Sequence, residues 1–302
     1  MTIVNSNHID SRSESIVEPR PKWLTKKPRS TEVYIRVKAI CSGYNIHTVC
    51  QEANCPNQGE CFEKGTVTFM ILGDVCTRNC RFCAVKTGIP KPPDLNEPEN
   101  VARAVRELKL GHAVITSVTR DDLMDGGADQ YVRTIQAIKL LNPETTIEVL
   151  IPDFQVNQSS IEKVVFASPD IVGHNLETIP DLYEKVRPKA NYFASLELLR
   201  RVKALSDSIL TKSGLMLGLG EKEDQVIRVM EDLREVKCDI LTLGQYLRPS
   251  PNHIQVKEYI PPEKFGEYKR IGKELAFKYV AAGPFVRSSF NAADVAKTLL
   301  SE

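Results

Sequence analysis

No stretch of this chain approaches the roughly 18 uncharged apolar residues that a membrane-spanning helix requires, because Lys, Arg, Asp or Glu interrupts every hydrophobic run. Surplus charge is missing as well. Forty Lys and Arg face 39 Asp and Glu, a net charge of +1, which leaves no overall field to hold nucleic acid or an anionic surface. The segment from Met1 to Ser30 mixes acidic and basic residues and lacks the apolar core of a signal peptide. These lacks point to a soluble cytoplasmic protein that binds neither nucleic acid nor membrane.

What is present is enough apolar residue, 42% of 302, to build a sizeable core: two domains, or one α/β barrel of about 250 residues. Residues 1–30 are polar, interrupted by Pro19, Pro21 and Pro28, and read as an extended arm anchored by Trp23 and Leu24. From Thr66 onward short apolar runs alternate with amphipathic stretches. TVTFMILG, HAVITSV, IEVLIPD, DIVGHN, LTKSGLMLGLG and DILTLGQYL read as strands. Helices are expected at about Glu97 to Leu108, Gly127 to Leu141, 158–167, 194–205, 222–236 and 262–279. About six β-α units imply a parallel sheet with right-handed crossovers, its chemistry on the loops that follow the strands. The expected fold is α/β, a partial (β/α)6 TIM-like barrel over 66–250, with an N-terminal segment at 1–65 and a C-terminal extension at 251–302. A doubly wound open sheet is the alternative, since periodicity does not report closure.

Eight cysteines stand at 41, 50, 55, 61, 76, 80, 83 and 238, six of them between positions 50 and 83. In a reducing compartment such clustering reads as metal or redox chemistry rather than a disulfide framework. CTRNCRFC places Cys76, Cys80 and Cys83 in one short loop directly after the first strand. Structural zinc wants four closed ligands, whereas a cubane iron-sulfur cluster held by three thiolates leaves one iron open for chemistry. The spacing resembles the signature of the radical S-adenosylmethionine superfamily, in which that cofactor chelates the open iron. The plainer reading is a zinc knuckle borrowing a fourth ligand such as His112. A second triplet, Cys50, Cys55 and Cys61 in CQEANCPNQGEC, exceeds what one cluster needs, so two clusters are the economical reading. Cys41 and Cys238 are possible fourth ligands, although buried thiols of that kind are more often plain core residues.

HTVCQEANCPNQGECF followed by GTVTFMILGDVCTRNCRFCAV resembles the paired cysteine motifs of the lipoyl synthase family. ITSVTRDDLMDGGA, GHNLET, KSGLMLGLGE, TLGQYLRPS and GPFVRSSFNA agree with it, so the likeness runs from about Pro21 to Ala292. It implies two 4Fe-4S clusters, one on Cys76, Cys80 and Cys83 and an auxiliary one on Cys50, Cys55 and Cys61. It implies S-adenosyl-L-methionine as co-substrate, and insertion of sulfur at C6 and then C8 of an octanoyl chain amide-linked to a lysine, with the auxiliary cluster consumed. The implied partners are octanoylated lipoyl-carrier domains (2-oxoacid dehydrogenase E2 subunits and the glycine cleavage H protein) and an electron donor such as flavodoxin or ferredoxin. A serine of the family's Arg-Ser-Ser-Tyr motif supplies the auxiliary cluster's fourth ligand. That motif maps onto Arg287, Ser288, Ser289 and Phe290, and the ligand is carried onto Ser289. Two positions depart from the family: Phe290 replaces the usual tyrosine, and Phe62 stands where a tryptophan commonly follows Cys61.

An sp3 carbon bearing only hydrogens offers no charge and no acidic proton, which is why acid-base groups or zinc do not functionalise it and a carbon-centred radical does. Thr119, Asp121, Asn175, Glu177, Arg187 and Lys212 are candidate contacts to the methionyl or ribose groups of S-adenosylmethionine. Asp121, Asp122, Gly126 and Gly127 read equally well as a turn and helix cap, and His174 as a satisfied core histidine. Competing functions are another radical sulfur-inserting enzyme, such as biotin synthase or a transfer-RNA methylthiotransferase, and a non-catalytic iron-sulfur or zinc scaffold. The lack of basic excess argues against an RNA substrate.

Overall fold

A computed structural model describes residues 19–26 and 31–300. Of the arm's two anchor residues, Leu24 is fully buried and Trp23 is 38% exposed. Thr31 caps the first helix, α1 (Glu32–Gly43), its hydroxyl accepting from the Tyr34 N–H at 3.3 Å. A short strand β1 (His47–Thr48) and two helical turns, α2 (Val49–Glu52) and α3 (Gln58–Glu63), carry the chain to the sheet.

The sheet elements follow in alternation. β2 (Thr68–Ile71) is followed by a small ribbon, β3 (Val75–Cys76) and β4 (Lys86–Thr87), and then by α4 (Glu97–Leu108). Next come β5 (His112–Ser117), α5 (Ala128–Leu141), β6 (Thr146–Leu150), α6 (Gln158–Phe166) and β7 (Ile171–Gly173). After α7 (Tyr183–Val186) and α8 (Tyr192–Leu205) the chain continues through β8 (Leu210–Leu217), α9 (Glu223–Glu235), β9 (Ile240–Gln245), α10 (Pro262–Glu274), β10 (Tyr279–Gly283) and α11 (Ala292–Leu300). The main sheet runs β1-β2-β5-β6-β7-β8-β9-β10, with β1 antiparallel to β2 and every other pairing parallel. From β2 onward the spatial order follows the sequence without a reversal. That order belongs to a barrel wall rather than a doubly wound sheet, which needs a switch point. The wall stays open between β1 and β10.

The six expected strands are all present, and a seventh parallel strand, β10, follows them. The helix expected over 262–279 stops at Glu274, and the chain turns at Ala276 with φ +62. No glycine or proline marks that stop, and KELAFKYVAAG reads as continuing helix. Beyond β10 the segment 284–291 enters the open seam. α11 then packs Val295 and Ala296 on Ile171, Leu210 and Ile240, the first residues of β7, β8 and β9. It therefore closes the end of the barrel opposite the strand C-termini. Closing one end this way leaves the other as the entrance to the interior.

Candidate active site

A cavity of about 510 Å³ opens at the C-terminal ends of the strands. Cys50, Cys55, Cys76, Cys80, Cys83 and Ser289 line it together. The first three-cysteine loop hangs from the ribbon β3–β4, where the Gly88 N–H donates to the Cys76 carbonyl at 3.0 Å. The Cys83 N–H donates to the Cys80 carbonyl at 3.0 Å, a tight turn within the loop. Two backbone N–H groups, of Arg78 and Thr119, point at the Cys76 sulfur at 3.4 Å each. Donors aimed at a sulfur are a feature of cluster sites, where they tune the potential. Burial pushes the Cys83 thiol up to about 12 and also raises Cys80, although the Arg187 guanidinium beside Cys80 opposes that rise. Neither thiol ionises on its own near neutral pH, so a bound metal has to draw off the proton.

Arg78 holds the loop in place. Its guanidinium donates to Asp153 at 2.6 and 2.8 Å and to Asp121 at 2.7 and 2.8 Å, tying the cysteine loop to the loops after β5 and β6. Burial works against ionisation of Asp153, but the Arg78 hydrogen bonds and charge outweigh it and hold that carboxyl down at about 2.

The second triplet is assembled from three parts of the chain. Cys50 lies in α2 and Cys61 in α3, and the Cys55 N–H donates to the Cys50 carbonyl at 3.0 Å. Cys50 and Cys61 are buried, and burial pushes both thiols up to about 12, with the neighbouring Cys55 adding to each. The Thr68 hydroxyl donates to Ser289 Oγ at 2.8 Å and also contacts the Cys50 thiol. Ser289 therefore stands one hydroxyl away from Cys50. Ser288 turns instead toward Asn175, donating to its Oδ1 at 3.2 Å.

Side-chain contacts sew the serine segment to the cysteine segment. Asn57 Nδ2 donates to the Phe285 carbonyl at 2.7 Å, and Lys64 Nζ donates to Asn291 Oδ1 at 3.2 Å. Lys26 Nζ binds Asn57 Oδ1 at 2.7 Å and Glu60 at 2.6 Å, and lies over the rings of Phe285 and Phe290, 5.3 and 5.7 Å from their centroids. Phe290 thus keeps an aromatic face where a cation uses it. Phe62 is buried and stacks on Tyr34 at 5.6 Å.

Among the remaining predicted residues, Thr119, Asn175, Glu177 and Arg187 line the cavity. Asn175 Nδ2 donates to Glu177 Oε1 at 3.1 Å, and burial raises the Glu177 carboxyl despite the nearby Arg187. Arg187 Nη1 donates to the carbonyls of Asn175 and Leu176 at 2.9 and 3.2 Å, while its buried Nε meets no partner among the described residues. Two candidates lie elsewhere. Lys212 is in the barrel core with Nζ 2.7 and 3.0 Å from the Glu148 carboxylate oxygens, because a strand residue facing inward below the cavity finds a buried acid there. Asp121 is held by Arg78, and Asp122 by Arg120 at 2.8 Å. Gly127 adopts φ +93 at the start of α5, and a Cβ there would lie 2.3 Å from Leu72, so the glycine serves a turn and close packing. His174 is buried and satisfied, 2.9 Å from the Ile151 carbonyl and 3.0 Å from Ser195 Oγ.

Cys41 and Cys238 are buried core thiols away from the cavity lining. His112, the would-be fourth zinc ligand, sits at the start of β5 beside Thr146 and Glu148, at the far end of the strand from the cysteines. Among the described residues, no three His, Cys, Asp or Glu side chains close on a point as a single ion requires. Cys50, Cys55, Cys76, Cys80 and Cys83 give the cavity five soft thiol donors, the ligand type that iron–sulfur clusters take. Arg78, Lys26, Asn57 and Thr68 are the supporting residues that sequence reasoning missed. Only Arg78, inside the cysteine motif, carried any local signal.

A profile described as the radical SAM superfamily matches residues 70–233. A lipoyl synthase from Caldanaerobacter subterraneus subsp. tengcongensis is 56% identical over 90% of this chain and 95% of that protein. One from Alkaliphilus metalliredigens is 54% identical over 92% and 96%. Among solved structures, methylornithine synthase superposes with a TM-score of 0.55 at 12% identity, covering 84% of this chain and 79% of that one, a likeness of fold.

Proposed function

Because the chain belongs to the lipoyl synthase family within the radical S-adenosylmethionine superfamily, we infer that its cavity inserts two sulfur atoms, at C6 and C8, into an octanoyl chain held on a protein lysine. The observation that carries this reading is the convergence of Cys76, Cys80 and Cys83 with Cys50, Cys55 and Ser289 on one cavity. Two 4Fe-4S clusters and S-adenosyl-L-methionine, when bound, supply the electron, the hydrogen-abstracting radical and the sulfide that an unactivated methylene needs.

The protein's own contribution is placement. Cys76, Cys80 and Cys83 are the ligands assigned to the first cluster, with the N–H groups of Arg78 and Thr119 directed at Cys76. Thr119, Asn175, Glu177 and Arg187 are assigned to S-adenosylmethionine, on the ground that they line the cavity beside that loop. Arg187 adds an unsatisfied buried N–H, which a carboxylate would satisfy. Cys50, Cys55, Cys61 and Ser289 are assigned to the auxiliary cluster. A serine oxygen is a weaker partner for iron than thiolate, suited to a site that gives up sulfur. Apolar residues of the wall, among them Val114, Val118, Leu150, Leu215 and Met216, suit an alkyl chain and keep water from the radical.

The enzyme acts on lipoyl-carrier proteins. The carriers we assign are the E2 subunits of 2-oxoacid dehydrogenases and the glycine cleavage H protein, with flavodoxin or ferredoxin as reductant and the cytoplasm as location. No helix among the described residues is long and apolar enough to cross a membrane. An anaerobic assay with an octanoyl-lysyl peptide, S-adenosylmethionine and dithionite should give a peptide heavier by two sulfurs in place of two hydrogens. Intact clusters with no mass gain would remove this function.

A further inference from the structure

Arg287 stands two residues before Ser289 and lines the cavity. Among the described residues its side chain makes one hydrogen bond, from Nη1 to the adjacent Val286 carbonyl at 2.7 Å, and meets no carboxylate within ion-pair distance. A guanidinium carries five N–H donors and stays charged, so a partly buried one facing the cavity with a single neutral acceptor is suited to an anion there. The head group has no easy retreat. Gly244 has no side chain where a Cβ would come 2.0 Å from the Val286 carbonyl and 3.3 Å from Arg287 Nη1, so the backbone is seated directly on β9. The following residues are fixed on opposite sides of the cavity, Ser288 on Asn175 and Ser289 on Thr68. The groups acting on the guanidinium by charge are the Cys55 thiol and the Glu177 carboxyl, one from each half of the site, and, in the opposite sense, the Arg20 guanidinium, which lines the same cavity.

We propose that Arg287 is a fixed cation of the sulfur-donating site, offsetting the thiolate charge of Cys50, Cys55 and Cys61. Joining a neutral carbon radical to a sulfide would place one electron of the radical and one of the sulfide lone pair in the new C–S bond and leave the other lone-pair electron on iron, with no change in net charge. The thiolate charge around that iron would set how readily it accepts the electron, and a fixed cation that offsets this charge would raise its potential. The role rests on the assignment of an auxiliary cluster to the second triplet.

Reduction potentials of both clusters, followed by low-temperature EPR in anaerobically reconstituted enzyme, test this in wild type, Arg287→Met and Arg287→Lys. Net charge near a cluster is one of the determinants of its potential. Arg287→Met should move the auxiliary cluster to a more negative potential, with a smaller shift at the first cluster. Sulfur inserted per S-adenosylmethionine cleaved should fall by about tenfold, the lower range for loss of a supporting residue at a metal site. Arg287→Lys keeps the charge and should keep most of the wild-type potential. An unchanged auxiliary potential in Arg287→Met, or an equal shift in Arg287→Lys, would overturn the charge role. A single cluster in the wild-type enzyme would instead overturn the assignment of the second triplet.

Discussion

The two cysteine sites facing this cavity are built in opposite ways. Cys76 ends β3 and Cys80 and Cys83 follow it before β4, and the groups that steady them are the N–H donors of Arg78 and Thr119 and the Arg78 guanidinium bound to Asp121 and Asp153. Cys50, Cys55 and Cys61 lie outside the barrel wall. Their site gains Ser289 only because the chain returns more than two hundred residues later, the Thr68–Ser289 contact spanning 221 positions and the Asn57–Phe285 contact 228. The first site draws its thiols from one short stretch and only its clamps, Asp121 and Asp153, from later units, whereas the second needs the far end of the chain for one of its lining residues. That contrast suits a division of labour between a permanent radical generator and a donor site that has to open.

The largest effects should come from the ligands themselves, and should differ in kind. Cys80→Ala should abolish 5′-deoxyadenosine formation, whereas Cys55→Ala should leave it and abolish thiolated product. Product from Cys55→Ala would erase the distinction between the sites.

The serines sharpen it next. Ser289→Ala should lower sulfur insertion by roughly 10- to 100-fold, the range for disturbed metal-site partners, while deoxyadenosine still forms. Ser288→Ala, whose hydroxyl faces Asn175, should be milder. The reverse order, read by product mass against deoxyadenosine, would move the ligand to Ser288.

The local site depends on its clamp. Removing Arg78 leaves two carboxylates behind, one buried, and Arg78→Met should cost about 3–5 kcal/mol in thermal denaturation, the range for breaking a buried pair. Asp153, held down at about 2 by Arg78, is depressed in the folded protein. Its contribution is therefore complete above the unfolded carboxylate value of about 3.9 and is lost as pH falls toward 2. The gap between wild type and Arg78→Met should stay constant from neutral pH down to mildly acidic pH and shrink below that. A gap that widens in acid would contradict the clamp.

Smallest is the tether of the assembled site. Lys26→Met removes one half-exposed ion pair and two cation–π contacts, together about 1–2 kcal/mol. Iron retention after gel filtration should drop for the auxiliary cluster alone, and Lys26→Arg should restore it. Equal loss from both clusters would mean a general destabilisation.

The same contrast decides what could be read from the sequence. Six strands, the cysteine loop and its position after β2 were legible because periodicity and close spacing are local signals. The stop of α10 was not, since Ala276 turns the chain with φ +62 and no glycine or proline announces it. Nor was the fate of Lys212, because a lysine on a strand gives no sign that Glu148 waits two strands away. The tie of Asp121 was hidden for a similar reason: its partner Arg78 lies 43 positions earlier. Ser289 entered through family resemblance. Spacing alone links it to nothing near Cys50, and only the seam that admits residues 284–291 brings the two together.

The central claim, that the assembled site is the sulfur source and the local site is not, is tested most directly by isotope. Enzyme reconstituted with heavy-isotope sulfide is given one turnover with octanoyl-lysyl peptide and S-adenosylmethionine, and the product is weighed. The account predicts heavy sulfur at both inserted positions, with auxiliary iron released and the cluster on Cys76, Cys80 and Cys83 retained. Product carrying only unlabelled sulfur, or loss of the first cluster in place of the second, would contradict it.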